Sequence, residues 1–198
     1  MTEEVLAAAG ISLYRTGSRY RIPGGQRYRL SSPLTVEGDW SSAAFFLCAG
    51  AMSREGIAVD GLSLPTRQGD SALLPLLRQM GAVVNLSSGC ITVRKGRLRA
   101  TDIDARPIPD LIPPLSVLAA AAEGESHIQN ARRLRYKESD RLQGIAELLN
   151  SLGGCLTVDG DGLLIHGVSH LQGGTVDSMG DHRLAMSAAL QMGNAVNE

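Results

Sequence analysis

Three stretches decide the architecture: Asp39-Trp40-Ser41-Ser42-Ala43-Ala44-Phe45-Phe46-Leu47, Asp110-Leu111-Ile112-Pro113-Pro114-Leu115-Ser116-Val117-Leu118 and Asp181-His182-Arg183-Leu184-Ala185-Met186-Ser187-Ala188-Ala189-Leu190. Each sets an aspartate just before a run too apolar to face water, and the aspartates are 71 residues apart both times. A second landmark keeps the period: Gly10, Gly81 and Gly153 each follow an amphipathic stretch and precede a strand-like one, 71 and 72 residues apart. Self-similarity at this length marks a supersecondary unit used more than once.

Between the landmarks the order of elements repeats. A strand at Leu34–Glu37 leads to an apolar helix at Ser41–Met52, a strand at Ile57–Val59, a helix at Asp70–Met80, and strands at Ala82–Asn85 and Cys90–Arg94. The next unit runs as a strand at Leu98–Asp102, a helix at Leu111–Ala122, a strand at Ser126–Gln129, a helix at Ser139–Leu152, and strands at Cys155–Val158 and Leu163–His166. The glycine after the second helix of each unit suits a left-handed C-terminal cap. The first helix of each unit is apolar all round and is expected inside; the second is amphipathic and shows one face to water. The fold class is therefore α/β (α+β), with repeated units of about 71 residues forming a sheet-walled domain with buried helices. Residues 1–33 match only the second half of a unit (helix at Glu3–Ala9, then strands at Ile11–Tyr14 and Arg19–Ile22), and the last unit stops at Met192 or soon after. The chain reads as cut at both ends from something longer.

Composition narrows the function. The 198 residues carry a net charge of −1 and 43% hydrophobic residues, which excludes a mainly disordered chain and argues against a dedicated nucleic-acid binder. No apolar run approaches the roughly 20 residues of a membrane span. Cys48, Cys90 and Cys155 are widely spaced and form no metal-ligand cluster with His127, His166, His170 or His182, so they read as reduced, mostly buried thiols of a cytoplasmic protein, with no metal site.

The chemistry concentrates in Arg132-Arg133-Leu134-Arg135-Tyr136-Lys137-Glu138-Ser139-Asp140-Arg141, which holds five cations and two carboxylates and runs into the start of a helix. Cations there oppose the helix dipole, so Arg141 is easier to understand with an anion between it and the helix N–H groups. Lys137 and Lys95 are the sole lysines, and Lys137 offers a compact charge beside the planar forks of the arginines. Arg183, in the first turn of an apolar helix, needs an anionic partner. His182 is either a structural histidine or part of that site. Asp39 reads as a plain N-cap. Asp110 is either an N-cap or a carboxylate that holds or deprotonates a substrate hydroxyl, and Glu138 is either half of an acid/base pair with Lys137 or a local ion pair. If the units pack around a pseudo-threefold axis, Asp110, Asp181-His182-Arg183 and the basic decapeptide converge at one end.

The stretches Val36–Leu47, Ile108-Pro109-Asp110, Arg133–Leu142 and Asp181-His182-Arg183-Leu184-Ala185-Met186 closely resemble the 5-enolpyruvylshikimate-3-phosphate synthase family, over nearly the whole chain, with Lys137-Glu138-Ser139-Asp140-Arg141 and Asp181-His182-Arg183 as the specific motifs. The resemblance implies two domains, each of three βαβαββ units, around a cleft. It implies transfer of the enolpyruvyl group of phosphoenolpyruvate to the 5-hydroxyl of shikimate 3-phosphate, releasing phosphate, with neither metal nor organic cofactor. On motif match Asp110 would hold the shikimate hydroxyls and accept a proton, Lys137 would bind shikimate 3-phosphate, Glu138 would move a proton, Arg141 and Arg183 would grip phosphoenolpyruvate, and His182 would orient the site. Arg133 stands where some members carry Asn, which leaves that substrate contact open. The family's Lys-Ser segment, first-domain Arg, Ser-Gln pair and C-terminal lysine motif are absent. Residues 1–33 then end the first domain and 34–198 form a second, truncated one, whose partner is the missing first domain, and the chain alone is expected not to turn over. Two alternatives are the related UDP-N-acetylglucosamine enolpyruvyl transferase, which the Lys-Glu-Ser-Asp-Arg motif disfavours, and a non-catalytic anion-binding module of the same fold.

Overall fold

A computed structural model describes residues 2–87 and 89–195, with side chains up to Leu190. The middle unit has the expected order: β6 (Ile103–Asp104), α4 (Ile112–Ala120), β7 (Glu125–Gln129), α5 (Arg141–Ser151), β8 (Cys155–Asp159) and β9 (Gly162–His166). The preceding unit comprises α2 (Trp40–Met52), β3 (Ile57–Asp60), α3 (Leu73–Gln79), β4 (Val83–Ser87) and β5 (Cys90–Arg94). Ahead of it lie α1 (Thr2–Ala8) and a hairpin of β1 (Tyr14–Thr16) and β2 (Arg19–Arg21); α6 (His182–Ala195) follows the middle unit. The last unit was expected to stop at Met192 or soon after; α6 is described to Ala195, and residues 196–198 lie outside the described residues.

The strands form an antiparallel sheet β3-β5-β4 and a mixed sheet β6-β7-β9-β8, in which β6 pairs parallel with β7. Against them pack α2 and α4, and α6 lies on α2, α4 and α5. All nine residues of α4 are buried, as its unbroken apolar sequence requires. α5 instead buries Leu142, Ile145, Leu148 and Leu149 on one face and leaves Gln143 and Glu147 in water. Gly10, Gly81 and Gly153 have φ of +75°, +93° and +82°, the left-handed values that end the helices before them.

Some elements differ from the sequence expectation. No strand forms at Leu34–Glu37: a backbone bond from the Gly38 N–H to the Gly61 carbonyl at 2.9 Å and side-chain bonds from Thr66 to Glu37 and from Gln68 to the Gly38 carbonyl tie the segment to its neighbours without a ladder, and Val36 is exposed. Residues Leu98–Asp102 do not form a continuous strand: Arg99 makes an isolated parallel bridge with Glu123, but the Ser126 hydroxyl takes the Thr101 N–H at 3.0 Å where the next ladder bond would go, so the regular ladder begins at Ile103. The helix expected over Asp70–Met80 opens as a 3-10 turn at Gly69–Ala72, since Pro75 has no N–H to give the Ser71 carbonyl. The three cysteines are free, but only Cys48 is buried; Cys155 opens the edge strand β8 and is exposed. Burial pushes the Cys48 thiol up to about 12, which leaves it inert.

Candidate active site

The site grows from the N-terminal ends of the three apolar helices. Asp39 caps α2, accepting the Ser41 N–H at 3.1 Å. Asp181 does the same for α6, accepting the Arg183 N–H at 2.9 Å. Asp110 breaks the pattern. It lies inside a 3-10 turn at Pro109–Leu111 and caps nothing with its side chain, so the N-cap reading of this residue falls. The two residues that could donate a helical N–H to its carbonyl are Pro113 and Pro114, and neither has one. That carbonyl is left free, and the Arg183 guanidinium takes it, Nη1 donating at 3.2 Å. The other end of the fork, Nη2, donates to the Ser41 hydroxyl at 2.9 Å.

Arg141 opens α5, with its side chain 1% exposed. Its Nε donates to Asp181 Oδ2 at 2.7 Å, Nη1 to Asp110 Oδ1 at 2.9 Å, and Nη2 to Glu138. Ser139 donates its hydroxyl to Asp181 at 3.1 Å. Gly144, one turn along α5, has no Cβ where one would lie 2.6 Å from a Leu184 methyl, so α5 and α6 approach closely enough for Arg141 to reach Asp181. Lys137 Nζ lies 3.1 Å from Asp110 Oδ1, and Arg183 Nε lies 3.7 Å from the same oxygen. Three cations thus face one carboxylate.

The electrostatics follow from these contacts. Burial opposes ionisation of Asp110, but the Lys137 hydrogen bond and the charges of Arg183, Lys137 and Arg141 outweigh it and hold the carboxyl below the usual aspartate range. Asp181 is held low in the same way, burial being outweighed by the Arg141 hydrogen bond and the Arg183 N–H. Arg141 is buried, yet Asp181, Glu138 and Asp110 keep it more firmly protonated than usual. Asp70, half-buried on the turn before α3, moves the other way: burial and the nearby Asp110 charge push its carboxyl up.

The structure brings together Asp110, Lys137, Glu138, Arg141, Asp181 and Arg183, so the convergence expected from repeat register is real. It corrects one detail. The anion expected beside Arg141 is supplied by the chain's own carboxylates, because a cation this deeply buried needs its countercharge within contact distance. His182 stands exposed at the first position of α6, its ring bonded to no described residue. Arg133 is not brought into the cluster; it is exposed and lines a cavity of about 450 Å³ with Arg106, Arg132 and Asp161. Sequence reading missed Ser41, Ser139 and Asp70. Ser41 was findable: it lies 142 residues before Arg183, two full periods, so the two hold equivalent places on neighbouring helices. Among the described residues, no group of three or more His, Cys, Asp and Glu side chains is arranged to hold a metal ion.

This constellation sits within a known sequence family. The profile described as EPSP synthase (3-phosphoshikimate 1-carboxyvinyltransferase) matches residues 1–197. The chain belongs to the EPSP synthase family. Among its relatives, the 3-phosphoshikimate 1-carboxyvinyltransferase of Methanosarcina acetivorans is 43% identical over 197 residues, covering 96% of this chain and 45% of that protein. The namesake from Brachyspira hyodysenteriae is 42% identical, covering 100% of this chain and 47% of its own length. The solved EPSP synthase from Acinetobacter baumannii superposes with a TM-score of 0.81 at 30% identity, covering 98% of this chain and 47% of that one. The enolpyruvyl transferase NikO from Streptomyces tendae shares the fold, with a TM-score of 0.68 at 21% identity. The chain thus spans about half the length of the relatives it matches, and the EPSP synthase likeness covers the sheets, the buried helices α2 and α4, the half-exposed α6 and the cluster alike.

Proposed function

We propose that this chain forms one wall of an enolpyruvyl-transfer site. Together with the other half of a full-length EPSP synthase, it transfers the 1-carboxyvinyl group of phosphoenolpyruvate to the 5-hydroxyl of shikimate 3-phosphate. In this reading residues 1–33 close a first domain, residues 34–198 belong to the second, and the reaction runs in the cleft between them, in the cytoplasm. The observation that carries the reading is the gathering of Lys137, Arg141 and Arg183 around Asp110 in a chain of this family. Both substrates are polyanions, and these cations supply fixed countercharge.

The reaction adds a proton to the methylene carbon of phosphoenolpyruvate while the acceptor oxygen bonds the adjacent carbon and loses its own proton. The tetrahedral adduct then loses phosphate and a methyl proton, restoring the vinyl group. Arg183 and Arg141 hold phosphoenolpyruvate, Lys137 holds shikimate 3-phosphate, and His182 orients the site. Asp110 takes the hydroxyl proton, and Glu138 serves the carbon. Arg133 is left without a role in the transfer. The ligand-free Asp110 is a poor base because three cations face it. When substrate anions draw on those cations, its carboxylate regains basicity, so proton acceptance is tied to substrate arrival.

Phosphate release from the two substrates tests this. The chain alone is expected to give none, and mixing with the first-domain half of the Methanosarcina relative is expected to restore it. Asp110→Asn is expected to lower the reconstituted rate by about 10²–10⁴-fold, the usual worth of a positioned acid or base. Relative-like turnover by the chain alone, or a reconstituted rate indifferent to Asp110→Asn, would overturn the reading.

A further inference from the structure

We infer that Ser41, braced by Asp39, is a positioning residue that fixes the Arg183 guanidinium in the orientation that receives an anion. The inference rests on the reading of Arg183 as an anion-binding group.

The argument is one of proton counting. A guanidinium only donates, so at 2.9 Å the Ser41 oxygen must accept from Arg183. The single hydroxyl proton of Ser41 is then committed elsewhere, and both Asp39 carboxylate oxygens lie 3.0 Å away to take it. Asp39 is itself held by the Ser42 hydroxyl at 2.6 Å and by the Ser41 N–H at 3.1 Å. The carboxylate polarises the hydroxyl, and the hydroxyl presents its lone pair to the arginine. With the Asp110 carbonyl at 3.2 Å and the Ser41 carbonyl at 3.5 Å on Nη1, the fork has three neutral oxygen contacts, of which the hydroxyl on Nη2 is the shortest.

Neutral oxygens orient a cation without cancelling it. The nearest carboxylate oxygen to the Arg183 fork, Asp110 Oδ1, lies 3.7 Å from Nε, beyond a direct charge-assisted bond. The side chain is 12% exposed, against 1% for Arg141. An arginine held this way has lost its rotamer freedom on folding, and an arriving phosphate or carboxylate need not order it. Without Ser41 the ordering would fall on the binding step. Asp39, an N-cap by sequence, thus serves helix and site at once.

The test uses the whole chain, with phosphoenolpyruvate as the probe, calorimetry for affinity, and nitrogen relaxation at the arginine Nε for side-chain order. Ser41→Ala is expected to mobilise the Arg183 Nε while leaving that of Arg141 rigid, and to weaken phosphoenolpyruvate binding about tenfold, the worth of one charge-assisted bond. Ser41→Thr is expected to restore both. Ser42→Ala removes an Asp39 partner that does not touch Arg183 and is expected to change neither. Asp39→Asn keeps an oxygen for the cap and is expected to cost about threefold, and it carries the test should Ser41→Ala fail to fold. An Arg183 as rigid in Ser41→Ala as in the parent, or equal losses in Ser41→Ala and Ser42→Ala, would overturn the inference. If Arg183→Ala binds phosphoenolpyruvate as well as the parent, the functional reading fails, whereas the relaxation data still decide whether Ser41 holds Arg183.

Discussion

Arg141 and Arg183 stand at the same end of the same three helices and are held by opposite means. Arg141 is 1% exposed and meets Asp181, Asp110 and Glu138, so its charge is matched by carboxylates of the chain. Arg183 is 12% exposed, with its fork on a serine hydroxyl and two backbone carbonyls. The first arrangement is a structural brace that joins α5, α6 and the turn before α4. The second leaves a positive charge oriented but available. Two arginines of one cluster thus differ in how much of their charge the chain itself already matches.

The contrast breaks most sharply on stability. Asp181→Ala leaves Arg141 buried with its best partner gone and is expected to cost about 3–5 kcal/mol, the range for breaking a buried ion pair. Arg183→Ala leaves behind neutral acceptors only, and no unpaired buried charge, and is expected to cost about 1 kcal/mol. Urea unfolding of both variants measures the gap, and equal losses would show that the two arginines are not held differently.

Acid sharpens the same distinction. Asp181 and Asp110 have folded-state values lowered by their cationic partners. Their contribution is fully present above the unfolded aspartate value of about 3.9 and is lost as pH falls through the lower folded values. The part of the unfolding free energy that these two carboxylates supply is expected to be flat near neutrality and to fall below about pH 4. Asp181→Asn should flatten that acid limb, and Arg183→Ala should leave most of it, since Arg141 and Lys137 still face Asp110. Denaturation at a series of pH values checks both.

Much of this was legible in the sequence. The 71-residue spacing of Asp39, Asp110 and Asp181 carried the convergence, because equal steps along a repeat place equivalent residues at one end. Gly81 and Gly153 marked helix ends since only a left-handed residue fits there. The strand at 34–37 was overread because local β-propensity does not supply a partner edge, whereas 98–102 finds its edge at the Arg99–Glu123 bridge but is interrupted at 101, where a side chain takes the ladder bond. Arg133 was drawn in by its neighbours in sequence, although it faces a different cavity. Ser41 was hidden for the opposite reason: a serine after an N-cap aspartate has a sufficient local explanation. Its second bond spans 142 residues, and only the register of the repeat points to it.

The smallest expected effect comes from the proline pair behind Asp110. Pro113 and Pro114 provide the site with an acceptor by withholding two donors. Pro114→Ala would return an N–H to the helix and a rival for the carbonyl that Arg183 uses. Thermal unfolding is expected to show a fold at least as stable as the parent, and phosphoenolpyruvate affinity to fall about threefold, a fraction of one hydrogen bond. A substitution that made α4 more regular would thus make the protein worse at its task. At this turn the pressures on stability and on function point in opposite directions, and a search for thermostable variants that scores melting temperature alone would select against the site.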